Sequence, residues 1–270
     1  MSAIATYFVA LPVLYAGMLA SLFAGLAAGV GALPILFISN ASQRLQDVLL
    51  GGAAGIMLAA SSFSLLIPAL EAGTMQTGGI LGGGLIAAAG LLIGAGAIWI
   101  AHRYLPHEHF LKGYDNESGR TIRRMWLFVF AITLHNIPEG LAVGVGFGGG
   151  NVANGLALTG GIFLQNLPEG FVVALALISL GYSRVVAILV ALATGAVETV
   201  GGFVGAGFVS LSETFLPLGL AGAAGSMLFV ISHEIIPETH GNGHESESTF
   251  GLVAGFAVMM ILDVVTAEMI

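Results

Sequence analysis

Residues 155–180 read Gly155-Leu156-Ala157-Leu158-Thr159-Gly160-Gly161-Ile162-Phe163-Leu164-Gln165-Asn166-Leu167-Pro168-Glu169-Gly170-Phe171-Val172-Val173-Ala174-Leu175-Ala176-Leu177-Ile178-Ser179-Leu180. The stretch holds no Lys or Arg and, as a helix, is long enough to cross a hydrocarbon core of about 30 Å. A spanning helix satisfies its backbone donors and acceptors within itself, so length and apolarity settle the fold class. At its centre stand Gln165, Asn166, Pro168 and Glu169, which hydrocarbon penalises and which therefore ask for a functional reason.

Working outward, similar runs recur at about 6–31, 47–70, 79–101, 125–147, 184–208, 215–236 and 249–267, making eight spans with the first. Hydrophobic residues are 57% of the chain and charged ones only 8%, against roughly 25% charged in a soluble domain. The expected fold is an all-α integral membrane protein of eight transmembrane helices, with residues 1–270 forming one transmembrane domain in a lipid bilayer. The first run is too long for a signal peptide and is expected to be retained. Glycine-dense segments such as Gly25-Leu26-Ala27-Ala28-Gly29 and Gly82-Gly83-Gly84 let helices approach closely, which predicts a packed bundle.

Arg44 lies between spans one and two, Arg184 between five and six, and Arg103, Lys112, Arg120, Arg123 and Arg124 between three and four. Basic residues are retained on the cytoplasmic side during insertion, so the odd-numbered loops, including 103–124, are expected there and both termini outside. The cluster Arg120, Arg123 and Arg124 reads as a topology anchor, and no basic patch invites nucleic acid. Glu71 and Glu213, in the even loops, read as solvated helix ends. With no cysteine, thiolate metal sites and disulfides are excluded.

The clearest internal repeat is His135-Asn136-Ile137-Pro138-Glu139-Gly140 followed by Gln165-Asn166-Leu167-Pro168-Glu169-Gly170, on consecutive spans. A third acid, Glu198, sits midway along span six. An acid at the centre of a spanning helix costs about 2.5–3.5 kcal/mol on insertion scales, and no Lys or Arg lies in the interior of a span to offset it. The counter-charge is then protons or a metal cation. His135 and Glu139 share a helix face, as do Gln165 and Glu169, and imidazole, carboxylate and carboxamide oxygens form a mixed N/O ligand set. Such a set suits Zn²⁺, Cd²⁺, Fe²⁺ and Mn²⁺ and argues against Cu⁺, which prefers sulfur. Each proline frees a carbonyl four residues earlier, Leu134 or Leu164, and is expected to kink its helix beside a polar path.

Span seven ends in Ser232-His233-Glu234-Ile235-Ile236-Pro237-Glu238-Thr239-His240, with His244, Glu245 and Glu247 beyond. Pro237 stands where a zinc-protease motif needs its second His, so an intramembrane protease is disfavoured. His233, Glu234, His240 and His244, like His107 and His109 in the third loop, read either as weak auxiliary metal ligands at a cytoplasmic mouth or as solvated loop residues. Asp263 in span eight reads as a further unpaired acid.

The two His/Gln-Asn-x-Pro-Glu-Gly motifs on consecutive spans of an eight-span chain resemble the Zrt-, Irt-like protein (ZIP) family of metal transporters, its bacterial members above all, over nearly the whole chain. The resemblance implies inverted-topology repeats, spans one to three and six to eight, around spans four and five. It further implies a metal site lined by His135, Asn136, Glu139, Gln165, Asn166, Glu169 and Glu198, with Met57 as a thioether ligand and Ser64 in the pathway. From sequence alone Met57 reads as packing. The pattern departs at Asn166, where relatives with a two-metal centre carry Asp.

The implied activity is passive or gradient-driven movement of a divalent ion into the cytoplasm, with the central bundle sliding or rocking against the rest, in a bacterial inner membrane. A homodimer is also implied, though nothing in the sequence itself signals one. No nucleotide-binding loop is present, and the chain is not expected to be an enzyme. Two other readings stay open: a proton- or sodium-coupled transporter whose glutamates titrate, and an intramembrane hydrolase that holds a catalytic zinc in the same cluster.

Overall fold

The computed structural model describes residues 3–38, 40–104 and 117–269, and every regular element among them is helical. After a short helix at Ala3–Val9 come eight rods: α1 (Val13–Leu36), α2 (Gln43–Thr77), α3 (Ile80–Tyr104), α4 (Glu117–Gly146), α5 (Val152–Ser179), α6 (Arg184–Leu211), α7 (Glu213–His240) and α8 (Glu245–Met269). Among the described residues seven of these, all but α4, are long and apolar enough to cross a membrane. The thirty-residue α4 packs among them and starts two turns before its apolar run. Only 17% of the apolar window of α3 or α8 is buried, so these two form the outer flanks.

The packing is preserved when α1 is exchanged for α6, α2 for α7, α3 for α8 and α4 for α5. Thus α1 lies on α5 as α6 lies on α4, and α2 lies on α8 as α7 lies on α3. Local geometry repeats the relation. α2 widens into a π-helix at Ala60–Leu66 before Ile67-Pro68, and α7 does so at Ile231–Ile235 before Ile236-Pro237. A proline ring clashes with the carbonyl four residues earlier, Ser64 or His233, and a widened turn relieves that clash. By contrast α4 and α5 run unbroken through Pro138 and Pro168, so the irregular turns expected at those prolines lie in the neighbouring helices instead.

Glycines divide the rods into two groups. A Cβ on Gly25 would meet the Gly195 carbonyl, on Gly31 the Leu167 carbonyl, on Gly140 that of Glu198 and on Gly170 that of Ala28, which welds α1, α4, α5 and α6 backbone to backbone. In the same way Gly55 abuts the Leu252 carbonyl, Gly83 that of Leu70, Gly94 that of Gly222 and Gly225 that of Leu91, joining α2, α3, α7 and α8. Between the groups the glycine contacts are made by side chains: Leu262 faces Gly160, Met259 faces Gly161 and Leu216 faces Gly148.

These two kinds of contact should respond differently to an added methyl. Gly94→Ala drives a Cβ into backbone and is expected to destabilise by about 2 kcal/mol or more, whereas at Gly161→Ala the flexible Met259 gives way and the loss stays below about 1 kcal/mol. Thermal unfolding of the two variants in detergent checks the order; equal losses would contradict the division.

The starts of α2 and α8 meet through Arg44 and Glu247, 3.1 Å apart, while the Gln76 amide at the end of α2 donates to the Glu213 carbonyl at the start of α7, 2.9 Å. These two contacts lie at opposite ends of α2.

Candidate metal centre

His135, Asn136 and Glu139 on α4, Gln165, Asn166 and Glu169 on α5, and Glu198 on α6 are all buried, none more than 6% exposed. The structure brings them together where α4, α5 and α6 converge. Their pairing differs from two grips of i and i+4. The Gln165 amide crosses to donate to Glu139 Oε1 at 2.5 Å, and the Asn166 amide donates to Glu198 Oε1 at 2.5 Å and to the Ala24 carbonyl of α1 at 3.1 Å. Because carboxylate and carbonyl only accept, both amides must present their NH₂ groups here. Through its nitrogen Asn166 ties α1 to α6 by way of Glu198. Glu139 lies within electrostatic reach of Glu169 and Glu198, and Glu169 within reach of His135.

Four buried oxygens in this cluster accept no hydrogen bond: Glu139 Oε2, Glu198 Oε2, Gln165 Oε1 and Asn136 Oδ1. One such group costs about 1–3 kcal/mol, and more when it is charged. Four together, with no Lys or Arg among the described residues of the cluster, are acceptor sites that its side chains leave open. Glu198 receives part of its compensation from the backbone. α6 breaks at Val197, whose N–H bonds Thr194 in a tightened turn, so Glu198 opens the half-helix Glu198–Leu211 and sits at its positive end. Among the described residues no three His, Asp or Glu side chains already converge as a metal cage; the Gln165 amide is bonded to Glu139 and the Asn166 amide to Glu198.

Around this cluster the auxiliary residues sort themselves. Glu234, in the π-helical turn of α7, reaches His135 Nε2, so it belongs to the centre and not to a solvated loop. Its neighbour His233 is exposed with its ring 5.0 Å from that of Phe229. Met57 is fully buried within the apolar core. Asp263 is not unpaired: the Ser64 hydroxyl, in the π-turn of α2, donates to it at 2.7 Å. Both ring nitrogens of His240 are engaged, Nδ1 with the Ile236 carbonyl at 2.9 Å and Nε2 with Thr249 Oγ1 at 3.1 Å. His244 bonds Asp47. His107 and His109 lie outside the described residues.

The reach of Glu234 was hidden because its partner is 99 positions away and the intervening π-turn re-aims it. Asp47, buried at the start of α2, was passed over because an acid in a helix's first turns reads as an ordinary end residue.

A family model described as ZIP zinc transporter matches residues 106–263, more than half of the chain. The zinc transporter GufA of Myxococcus xanthus is 47% identical over 248 residues, covering 92% of this chain and 98% of that protein. The zinc transporter ZIPB of Bordetella bronchiseptica is 48% identical across 89% of this chain and 78% of its own length. The zinc transporter ZIP11 of Xenopus tropicalis is 32% identical, over 89% and 94% respectively. A bundle of membrane-length helices, the paired Pro-Glu-Gly motifs at its buried acidic centre and these full-length likenesses lead to one conclusion: the chain belongs to the ZIP family.

Proposed function

We propose that this protein carries Zn²⁺ across a bacterial inner membrane into the cytoplasm, with Cd²⁺, Fe²⁺ and Mn²⁺ as lesser substrates. The observation that carries this reading is the cluster of three buried glutamates, two of them with an unsatisfied oxygen, and no Lys or Arg among the described residues around them. His135, Asn136, Glu139, Gln165, Glu169 and Glu198 handle the ion, Asn166 holds Glu198 in place, and Met57 is the one soft ligand. α4 serves as the eighth span, residues 1–270 form one transmembrane unit with the 103–124 loop cytoplasmic and both termini outside, and two copies form the transporter.

All but one of these residues belong to the group α1, α4, α5 and α6, whereas Met57 and Glu234 belong to α2, α3, α7 and α8. Backbone welds within each group and yielding side chains between them favour relative motion of two rigid halves as the transport step. Glu234 on His135 then bridges the moving surfaces. The amides around the carboxylates favour a metal over a purely proton- or sodium-coupled cycle, since titrating acids alone need no such neighbours. A hydrolase would need a held water and a spare base as well.

Uptake into proteoliposomes, compared across Zn²⁺, Cd²⁺, Fe²⁺ and Mn²⁺, tests the reading: zinc should accumulate fastest, and no metal flux above that of empty vesicles would end it. Zinc affinity should also fall as pH drops from 7.5 to 5.5, because protons compete with the ion for His135 and the carboxylates and only the deprotonated forms bind. Equilibrium binding at the two pH values is the check; an unchanged dissociation constant would remove these side chains from the ligand set.

A further inference from the structure

At the cytoplasmic end proposed above, Asp47 is buried to 1% exposure yet pairs with no Lys or Arg among the described residues; the nearby Arg44 pairs with Glu247. Its carboxylate is held by three neutral donors or imidazole. Oδ1 accepts from Gln43 Nε2 at 2.9 Å and from Asn242 Nδ2 at 3.0 Å, and Oδ2 meets His244 Nδ1 at 2.9 Å. The last contact fixes the ring's chemistry. A carboxylate only accepts, so the proton of the neutral imidazole must sit on Nδ1, and the lone pair is left on Nε2. No hydrogen bond to His244 Nε2 exists among the described residues, and the side chain is 29% exposed. Carboxylate, then imidazole Nδ1–H, then an open Nε2 is the arrangement that orients metal-binding histidines and raises their basicity. His240, four residues earlier, lacks it: both its nitrogens are spent on the fold.

We infer that Asp47 is a positioning residue that holds His244 as a ready-made nitrogen ligand for the divalent ion at the cytoplasmic end of its path. The inference rests on the metal-transport reading above but concerns a site outside the central cluster. It also separates the two histidines of the α7–α8 turn, His244 toward the ion and His240 toward the structure. Because Asp47 lies on α2 and His244 between α7 and α8, the ligand is anchored to one rigid group and does not move with the glutamates.

The test follows the ring ¹⁵N signals of His244 in the full-length protein in lipid nanodiscs during a zinc titration. The unmodified protein should show the Nδ1–H tautomer and a saturable zinc-dependent change at Nε2. In Asp47→Asn the single carbonyl must serve Gln43 and Asn242, which turns the NH₂ toward His244. The ring proton should then move to Nε2 and the zinc midpoint rise about tenfold, the usual effect of losing an outer-shell partner. Asn242→Ala and Gln43→Ala remove other bonds to the same carboxylate, and should lower the unfolding temperature while leaving tautomer and midpoint within twofold. A midpoint in Asp47→Asn within twofold of the unmodified value would overturn the inference. So would an equal shift in Asn242→Ala, which would make Asp47 a mere staple, or His244 signals indifferent to zinc. Failure of the transport reading looks different: no flux into proteoliposomes while His244 still titrates with zinc.

Discussion

Glu139→Ala and Glu169→Ala are each expected to reduce zinc uptake to the level of empty vesicles while the protein still folds. Glu139 is wholly buried with one oxygen bonded to Gln165 and the other unsatisfied, and Glu169 is buried with no hydrogen bond among the described residues. A side chain kept for stability would not be left in that condition, since a charge at the centre of a spanning helix costs about 2.5–3.5 kcal/mol. On the proposed reading the charge is kept for the ion. The milder Glu139→Gln sharpens the argument. It preserves shape and a carbonyl for Gln165 but not the charge, so flux should vanish while the metal-free protein unfolds at an equal or higher temperature. Matched expression, size-exclusion profiles and thermal unfolding beside the uptake assay separate the outcomes. Near-normal flux in either alanine variant would remove that glutamate from the site, and a collapse of the fold in Glu139→Gln would make it a structural residue.

Most of the architecture was legible in the sequence because the bilayer imposes a coarse rule. A run of about twenty apolar residues without a basic side chain has one low-energy conformation, and seven of the expected spans reappear among the described residues as membrane-length helices. The motif pair on α4 and α5 was legible for a related reason, since acids in hydrocarbon are expensive enough to need a purpose. What stayed hidden depends on contacts between helices distant in sequence. Glu234 touches His135 because α7 widens by one turn before Pro237, and periodicity assumes 3.6 residues per turn throughout. Ser64 meets Asp263 through the matching π-turn of α2, so an acid that looked unpaired has its donor 199 residues away.

The glycines show the same limit. Their density on α1 and α6 announced close packing, but composition does not say which backbone each would touch. Only in three dimensions do Gly25 and Gly195 face one another while Gly94 faces Gly222, and only then do two groups of four helices separate. That division changes how the centre is understood. Its glutamates ride on one group, and at His135 they are met by a carboxylate from the other, so the apparent ligand cluster is also a contact between the two groups of helices.

Asn166→Asp is expected to convert a centre with one tight ion into one that holds two. Glu139, Glu169 and Glu198 together supply a charge of about −3 if ionised, so one divalent ion leaves the cluster near −1 and a second leaves it near +1 in a low-dielectric surround. A buried net positive charge without an anion is unfavourable, which makes the second position weak in the unmodified protein. The geometry adds a second reason. The Asn166 NH₂ occupies Glu198 Oε1 and the Ala24 carbonyl, so one of the oxygens a second ion would use is already taken by a donor that no metal replaces without breaking the tie to α1. Aspartate at 166 brings the charge to about −4, matching two divalent ions, and sets two carboxylates face to face where one hydrogen bond stood. Without metal that pair repels and the Ala24 carbonyl loses its donor. The variant should therefore be less stable than the unmodified protein when zinc is absent and gain more stability when zinc is added. Anomalous diffraction at the zinc edge should give one strong peak near Glu139 in the unmodified protein and a second, strengthened peak near Glu198 in Asn166→Asp. Two peaks of full occupancy in the unmodified protein at modest zinc concentration would defeat the charge argument, and an unchanged zinc-dependent rise in unfolding temperature would show that Asn166 does not govern the second position.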